Sequence, residues 1–217
     1  MYAPVPVGAN WAKLAPRQGE PERWHPLSDH CTDVAACAEA LLANSTIQAR
    51  LAALARVDSI PERWVERLTA LAYLHDFGKA NRLFQQRKAG HIKEAVFIAG
   101  RPEKRRETGL TALDVFGAPI DFLLAVILAH HGEPPDIRRP GQDDMAWAMG
   151  PDRNPIECVA SLVEFAKASW PVAFVPGGHP LPEPQSPFWH AYLGLLQLAD
   201  WLGSDESRDA FPFSEVS

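Results

Sequence analysis

Four stretches of this sequence end an apolar, helix-spaced stripe on an imidazole or a carboxylate: His30, the adjacent pair His75–Asp76, the doublet His130–His131, and Asp200. The densest is Leu71-Ala72-Tyr73-Leu74-His75-Asp76-Phe77-Gly78-Lys79. Leu68, Leu71 and His75 fall at helical spacing, so the imidazole continues a buried face, and a carboxylate follows it directly. Neither group belongs in a dry interior without a partner. A divalent cation partners both at once, because neutral imidazole and ionised carboxylate are ordinary ligands of borderline-to-hard metals. Gly78 lets the chain turn, and Lys79 sets one positive charge at the mouth of the site. Any one of these features alone is more often a satisfied core histidine or a capping acid. Four together, each at the polar end of a buried face, point to convergence on one pocket, as in bundle-core metal sites. The set holds more ligands than one metal needs, and Asp76 could bridge two ions roughly 3.5–4 Å apart, the separation suited to displacement at phosphorus.

The elements that must carry these groups are helices. Residues 1–27 read as an extended, Pro-rich arm with Trp11, Lys13 and Trp24. Ser28 is a plausible N-cap for a helix to about Leu42, with His30, Val34, Cys37 and Leu41 inward. A second helix covers 44–58, and Ser59-Ile60-Pro61-Glu62 has the form of a capping box opening the helix that ends in His75-Asp76. Thr108 to Phe116 reads as a short helix closed by Gly117, and Asp121 to His131 as a buried helix stopped by Gly132-Glu133-Pro134-Pro135. Residues 133–155 read as a loop, 155–169 as a helix, 170–187 as an irregular Pro-rich connection, and 188–202 as the last helix, followed by a polar tail over 205–217. No repeat and no convincing run of strands appear, so the expected fold is all-α, a single domain over 1–217 with a metal site at the centre of a helical bundle.

Composition narrows the function classes. The chain has 217 residues, 47% hydrophobic and 22% charged, enough for one substantial core. A net charge of −6 excludes wholesale nucleic-acid binding, so any phosphate contact is local or runs through metal. One basic stretch stands out: Arg82, Arg87, Lys88, Lys93, Arg101, Lys104, Arg105 and Arg106, which reads equally as a solvated face or a phosphate-binding patch. Cys31, Cys37 and Cys158 include no CxxC, which argues against a disulfide framework or thiolate zinc site. No apolar run approaches 18 residues and no secretory leader is seen, so a soluble, cytoplasmic protein is the default expectation. There is no Gly-x-x-x-x-Gly-Lys-Ser/Thr loop, hence no helicase motif within these residues.

The order His … His-Asp … His-His … Asp resembles the HD phosphohydrolase superfamily. Closer still, the chain resembles the HD nuclease of the CRISPR-associated helicase–nuclease of type I interference. The matching pieces are Trp11-Ala12-Lys13, the run His25 to Ala36, His75-Asp76-Phe77-Gly78-Lys79, Ala129 to Pro135, and Leu198 to Asp205. They extend from residue 11 to residue 205. The resemblance implies that His30, His75, Asp76 and Asp200 hold one metal, and that Asp76, His130, His131 and one further histidine hold a second. The family usually takes that histidine from a His-Glu pair, where this chain reads Arg105-Arg106-Glu107. Either His91 substitutes from upstream or the second site is incomplete. His25, five residues before His30, is expected to be structural or to support the ligands from behind.

The function this implies is hydrolysis of phosphodiester bonds of single-stranded DNA by metal-activated water, with Lys79 stabilising charge on the phosphate beside Asp76. Histidine-rich ligation suits Mn, Fe, Co or Ni better than Mg, which prefers oxygen. Expected partners are a CRISPR-associated helicase, fused or separate, and the crRNA-guided surveillance complex, with the domain itself a monomer and no membrane contact. Arg138 and Arg139 or the Arg82–Arg106 stretch would guide the strand. Two alternatives remain open: a phosphohydrolase of nucleotides or cyclic dinucleotides, and a catalytically silent metal-binding scaffold.

Overall fold

The amino-terminal arm contains strands too short to show a period in sequence. The computed structural model describes residues 9–15, 23–139, 141, 144–205, 211 and 214–215. In it β1 (Trp11–Ala15) pairs antiparallel with β2 (Arg23–Pro26), and β3 (Ser214–Glu215) pairs antiparallel with β2. The expected extended arm and polar tail thus meet in a three-stranded sheet of order β1-β2-β3; the rest of both segments lies outside the described residues. The register of β1 on β2 shifts between Trp11 and Lys13, a bulge that places Ala12 inward and Lys13 opposite His25.

The remaining regular structure among the described residues is helical, as expected. Helix α1 (Leu27–Leu42) starts directly after Pro26 without a side-chain cap, and the Ser28 hydroxyl donates to Asp29 instead of capping. Helix α2 (Ser45–Ala55) is capped by Asn44, whose side chain accepts from the N–H groups of Thr46 and Ile47. Helix α3 (Glu62–Tyr73) begins at Glu62 itself, so Ser59 lies too far upstream to close a capping box, and none forms. Short helices α4 (Arg82–Gln85), α5 (Ile92–Ala99) and α6 (Pro102–Glu107) follow. Helix α7 (Ile120–Leu128) is apolar on nearly every side, while α8 (Pro155–Ser169) and α9 (Phe188–Leu202) have the bounds expected from their periodicity. The segment 133–155, expected to be a loop, buries Ala146 and Trp147 and bonds the Trp147 indole to the Glu94 carbonyl.

The core is continuous through α1, α3, α5, α7, α8 and α9. Helix α3 contributes Trp64, Leu68 and Leu71, each worth about 1.5–3 kcal/mol of burial. Between α1, α3 and α9 a separate buried cluster is built mostly of small residues, Val34, Ala38, Ala72 and Ala199, around Leu196. At the carboxyl end of α9 a Cβ on Gly203 would lie 2.8 Å from the Val34 nitrogen, so the main chain there rests directly on α1. A fully buried Arg67 anchors the middle of α3. Its five N–H groups donate to the carbonyls of Ala173, Phe116, His179, Val115 and Gly177, at 2.8–3.4 Å. Among the described residues no single helix is long and apolar enough to cross a membrane.

Candidate metal centre

Helices α3 and α7 both stop before their ligand-type residues, so these sit on turns rather than on the helices themselves. After Tyr73 the chain turns through His75-Asp76 into a 3-10 turn over Phe77–Ala80. After Leu128 a 3-10 turn carries Ala129–His131. The two turns orient their first imidazole identically. His75 Nδ1 lies 2.8 Å from the Ala72 carbonyl, and His130 Nδ1 lies 2.6 Å from the Ile127 carbonyl. A carbonyl only accepts, so both Nδ1 atoms carry the proton and both Nε2 lone pairs face inward, the arrangement a metal-binding histidine needs.

Those Nε2 atoms converge on Asp76, which is 1% exposed. Its Oδ2 lies 3.0 Å from His30 Nε2, 3.2 Å from His75 Nε2 and 2.5 Å from Lys79 Nζ. Its Oδ1 lies 3.1 Å from His91 Nε2 and 3.3 Å from His130 Nε2. Asp200, reaching in from α9, places Oδ1 3.5 Å from His30 Nε2 and 3.7 Å from His75 Nε2, and accepts from the Ser204 hydroxyl. His131 Nε2 is 3.2 Å from His91 Nε2. Two groups result: His30, His75, Asp76 and Asp200, and Asp76, His91, His130 and His131, with ligand atoms in each within 4.8 Å of one another. One carboxylate belongs to both, an oxygen to each side.

The structure therefore brings together every ligand-type residue singled out in sequence, His91 included. Gly78 and Asn81 explain why His91 arrives. A Cβ on Gly78 would lie 2.4 Å from the His91 carbonyl oxygen, so only glycine allows that loop to lie against the turn. The Asn81 side chain donates to the carbonyls of Gly78 and Gly90, at 2.8 and 3.0 Å, tying both strands of the loop together. His25 does not enter the cluster. Its Nε2 pairs with Asp33 at 2.9 Å, and its ring packs edge-on against His30 at 5.5 Å, supporting that ligand from behind. Sequence reading missed Asn81, Gln85 and Asp33, because loop-closing amides and a single surface acid carry no period.

Electrostatics match a cation site. Burial pushes the pKa of His30 down to about 3 against the opposing hydrogen bond that its ring donates to Asp76, leaving the ring neutral. On His75 burial acts the same way, but the charges of Asp76 and Asp200 outweigh it and raise the pKa to about 9. Burial disfavours an ionised Asp76, yet Lys79 and His75 hold its carboxyl well below the ordinary range; Asp200 is likewise held low, chiefly by His75, against its burial. Burial and the neighbouring His130 and His91 lower His131 to about 4. A proton on His75 thus occupies the role a metal would take. Three buried atoms of the cluster, His75 Nε2, His130 Nε2 and Asp76 Oδ1, satisfy no hydrogen bond despite their close neighbours. Two ring nitrogens and a carboxylate oxygen without a hydrogen bond, all turned toward one another, fit a divalent ion between them in place of the His75 proton.

The basic stretch is partly spent on the fold. Arg105 pairs with Asp121, Lys104 with Glu107 at 2.6 Å, and Arg101 lies 3.9 Å over the Phe97 ring and bonds the Gly141 carbonyl. Arg138 and Arg139 are exposed, Arg139 3.5 Å from Asp136.

Comparison with known proteins gives a consistent result. The family model described as "Cas3, HD domain" matches residues 11–208. Among solved structures, a "CRISPR-associated protein" superposes with a TM-score of 0.68 at 24% identity, covering 96% of this chain and 24% of that one. A chain of a "CRISPR RNA-guided surveillance complex, pre-nicking" has a TM-score of 0.62 at 20% identity, covering 99% of this chain and 27% of its own. The Thermus thermophilus cas3 HD domain, solved in the presence of Ni2+, has a TM-score of 0.58 at 27% identity, covering 86% of this chain and 74% of that one. The chain spans about a quarter of the length of the first two. No curated protein matches it.

Proposed function

This chain belongs to the Cas3 HD-domain family, and from that premise we propose that it is a metal-dependent nuclease that hydrolyses phosphodiester bonds of single-stranded DNA in CRISPR interference. The observation that carries this reading is Asp76, with one oxygen turned to His30 and His75 and the other to His91 and His130. His30, His75, Asp76 and Asp200 would hold one divalent ion, and Asp76, His91, His130 and His131 a second. Such ions, when bound, supply a water acidified to near neutrality and a Lewis-acid clamp on phosphate oxygens.

The chain's own residues do the rest. The Ala72 and Ile127 carbonyls hold His75 and His130 in the tautomer that presents Nε2. Lys79, 6% exposed and 2.5 Å from Asp76 Oδ2, keeps that carboxylate ionised and places positive charge where the attacked phosphate gathers negative charge. Histidine-rich ligation favours Mn, Fe, Co or Ni over Mg, and the Ni2+ used with the Thermus thermophilus domain is in keeping with that. The net charge of −6 suits a domain to which a helicase, fused or separate, delivers the strand, and the likeness to a surveillance-complex chain supports that partnership.

The test is metal analysis combined with cleavage of circular single-stranded DNA under several divalent ions. The expected result is cleavage with a transition metal that excess chelator abolishes. Cleavage persisting in chelator overturns the mechanism. Hydrolysis of mononucleotides with circular strands intact would point to a nucleotide phosphohydrolase, and metal uptake without any hydrolysis to a scaffold.

A further inference from the structure

Beside the centre stands a cation that the proposed reaction leaves idle. Lys13 lies on β1, and β1 is fastened to the Lys79 turn by one buried side chain, Gln85. The Trp11 N–H donates to Gln85 Oε1 at 3.0 Å, while Gln85 Nε2 donates to the Trp11 carbonyl at 2.8 Å and to the Lys79 carbonyl at 2.7 Å. The Trp11 ring packs on Phe84 with centroids 4.5 Å apart, and the Leu27 N–H donates to the Asn10 carbonyl, tying the other side of the strand to the start of α1. Beyond the bulge, Lys13 is directly opposite His25. Opposed residues of an antiparallel pair project from the same face. The His25 ring on that face is 1% exposed and packs against His30. Lys13 therefore projects toward the His30 side of the metal centre, and the charged groups acting on it are Asp200, Lys79 and Asp76.

Among the described residues the Lys13 ammonium makes no ion pair and no side-chain hydrogen bond, although the residue is half-buried and its main chain pairs in the sheet. The nearby carboxylates are taken: Asp76 Oδ2 by Lys79, His30 and His75, and Asp200 Oδ1 by Ser204. Asp200 and Asp76 act on the half-desolvated ammonium only from beyond ion-pair distance, so an anion from solution in direct contact would offset its desolvation further. Lys79 is sunk against Asp76, whereas Lys13 keeps part of its surface open to solvent. We propose that Lys13 is a substrate-contacting residue: its ammonium binds a non-bridging oxygen of the substrate strand's phosphate at the mouth of the metal centre. This rests on the nuclease reading for its substrate, and on the geometry alone for its anion.

The test compares the parent with Lys13→Ala and Lys13→Arg in two assays, neither of which depends on the other. The first is binding of a fluorescent oligothymidylate to the metal-free protein over a series of salt concentrations. The second is kcat and KM for single-stranded DNA with metal. Lys13→Ala should keep the parent's metal content and thermal midpoint, weaken oligonucleotide binding roughly ten- to hundredfold, as loss of a charged hydrogen bond does, and flatten the plot of log affinity against log salt by about 0.7. Its kcat/KM should fall by a similar factor, and Lys13→Arg should restore the slope. Unchanged affinity and unchanged slope in Lys13→Ala overturn the proposal even where the parent cuts DNA. A parent that does not cut overturns the nuclease reading instead, while a Lys13-dependent salt slope in the binding assay still sustains the anion contact.

Discussion

Arg67 and Asp76 lie nine residues apart along one helix and the turn that follows it, both with almost no exposure, and the interior treats them in opposite ways. Arg67 has five N–H groups and five carbonyl acceptors, each donor matched once. Asp76 has two oxygens and five cationic or imidazole nitrogens within 3.3 Å, while one of those oxygens and two of the ring nitrogens satisfy no hydrogen bond. Saturated polarity of the first kind is a fastener, joining α3 to the segments at 115–116 and 173–179. Surplus polarity of the second kind is stable only with another charge among the ligands. The contrast separates buried groups that serve the fold from buried groups that await a ligand.

Exchanging one residue on each side breaks the comparison in opposite directions. Asp76→Asn keeps the shape and removes the shared charge. Cleavage should fall on the order of 10^3-fold or more, metal content should drop at both groups, and metal-free stability in urea at neutral pH should fall only modestly, because Lys79 and His75 lose their counter-charge while the crowding of ligand atoms eases. Arg67→Met should do the reverse. Leaving carbonyls unpaired costs at least about 3 kcal/mol in urea unfolding, with specific activity per folded molecule near the parent's. A variant of Asp76 that unfolds, or one of Arg67 that folds normally yet cannot cut, would erase the distinction.

The smallest effect is the dependence of metal-free stability on pH. His75 is raised to about 9, so its contribution is complete below its unfolded value near 6.5 and is lost as pH climbs through 9. His30, buried and lowered to about 3, and Asp76, held low by Lys79 and His75, contribute in the other direction: their stabilisation is present at neutral pH and lost as pH falls toward acid. Chelated protein should therefore be most stable near pH 6–7. Adding metal, which displaces the proton from His75, should move that maximum upward. Thermal scans from pH 4 to 10 with and without metal decide it, and coincident profiles would mean that no ion replaces the His75 proton.

How much of this was legible in the sequence depended on range. Helices α8 and α9 are long, periodic and opened by Asn154-Pro155 and Pro187, so their bounds could be read directly. The sheet could not, because β3 joins β2 across most of the chain and neither strand exceeds four residues. The capping box at Ser59 failed because Pro61 and Glu62 let the helix begin later than the pattern implied. His30, His75, Asp76, His130, His131 and Asp200 were visible as interruptions of apolar stripes. His91 was not, since it belongs to no stripe; it comes within 3.1 Å of Asp76 through a loop amide and the missing side chain at Gly78. Arg67 interrupts the stripe of α3 as plainly as His75 does, yet nothing in the sequence names its carbonyl acceptors.

The resting of Gly203 on α1 has one further consequence. Main chain against main chain is a hard stop whose spacing does not vary with the neighbouring side chains, so it acts as a ruler between His30 and Asp200. Interchanges among Val34, Ala38, Leu196 and Ala199 can therefore be absorbed by sliding or tilting, with the carboxylate still delivered at its set depth. A single methyl at position 203 would lengthen the ruler itself.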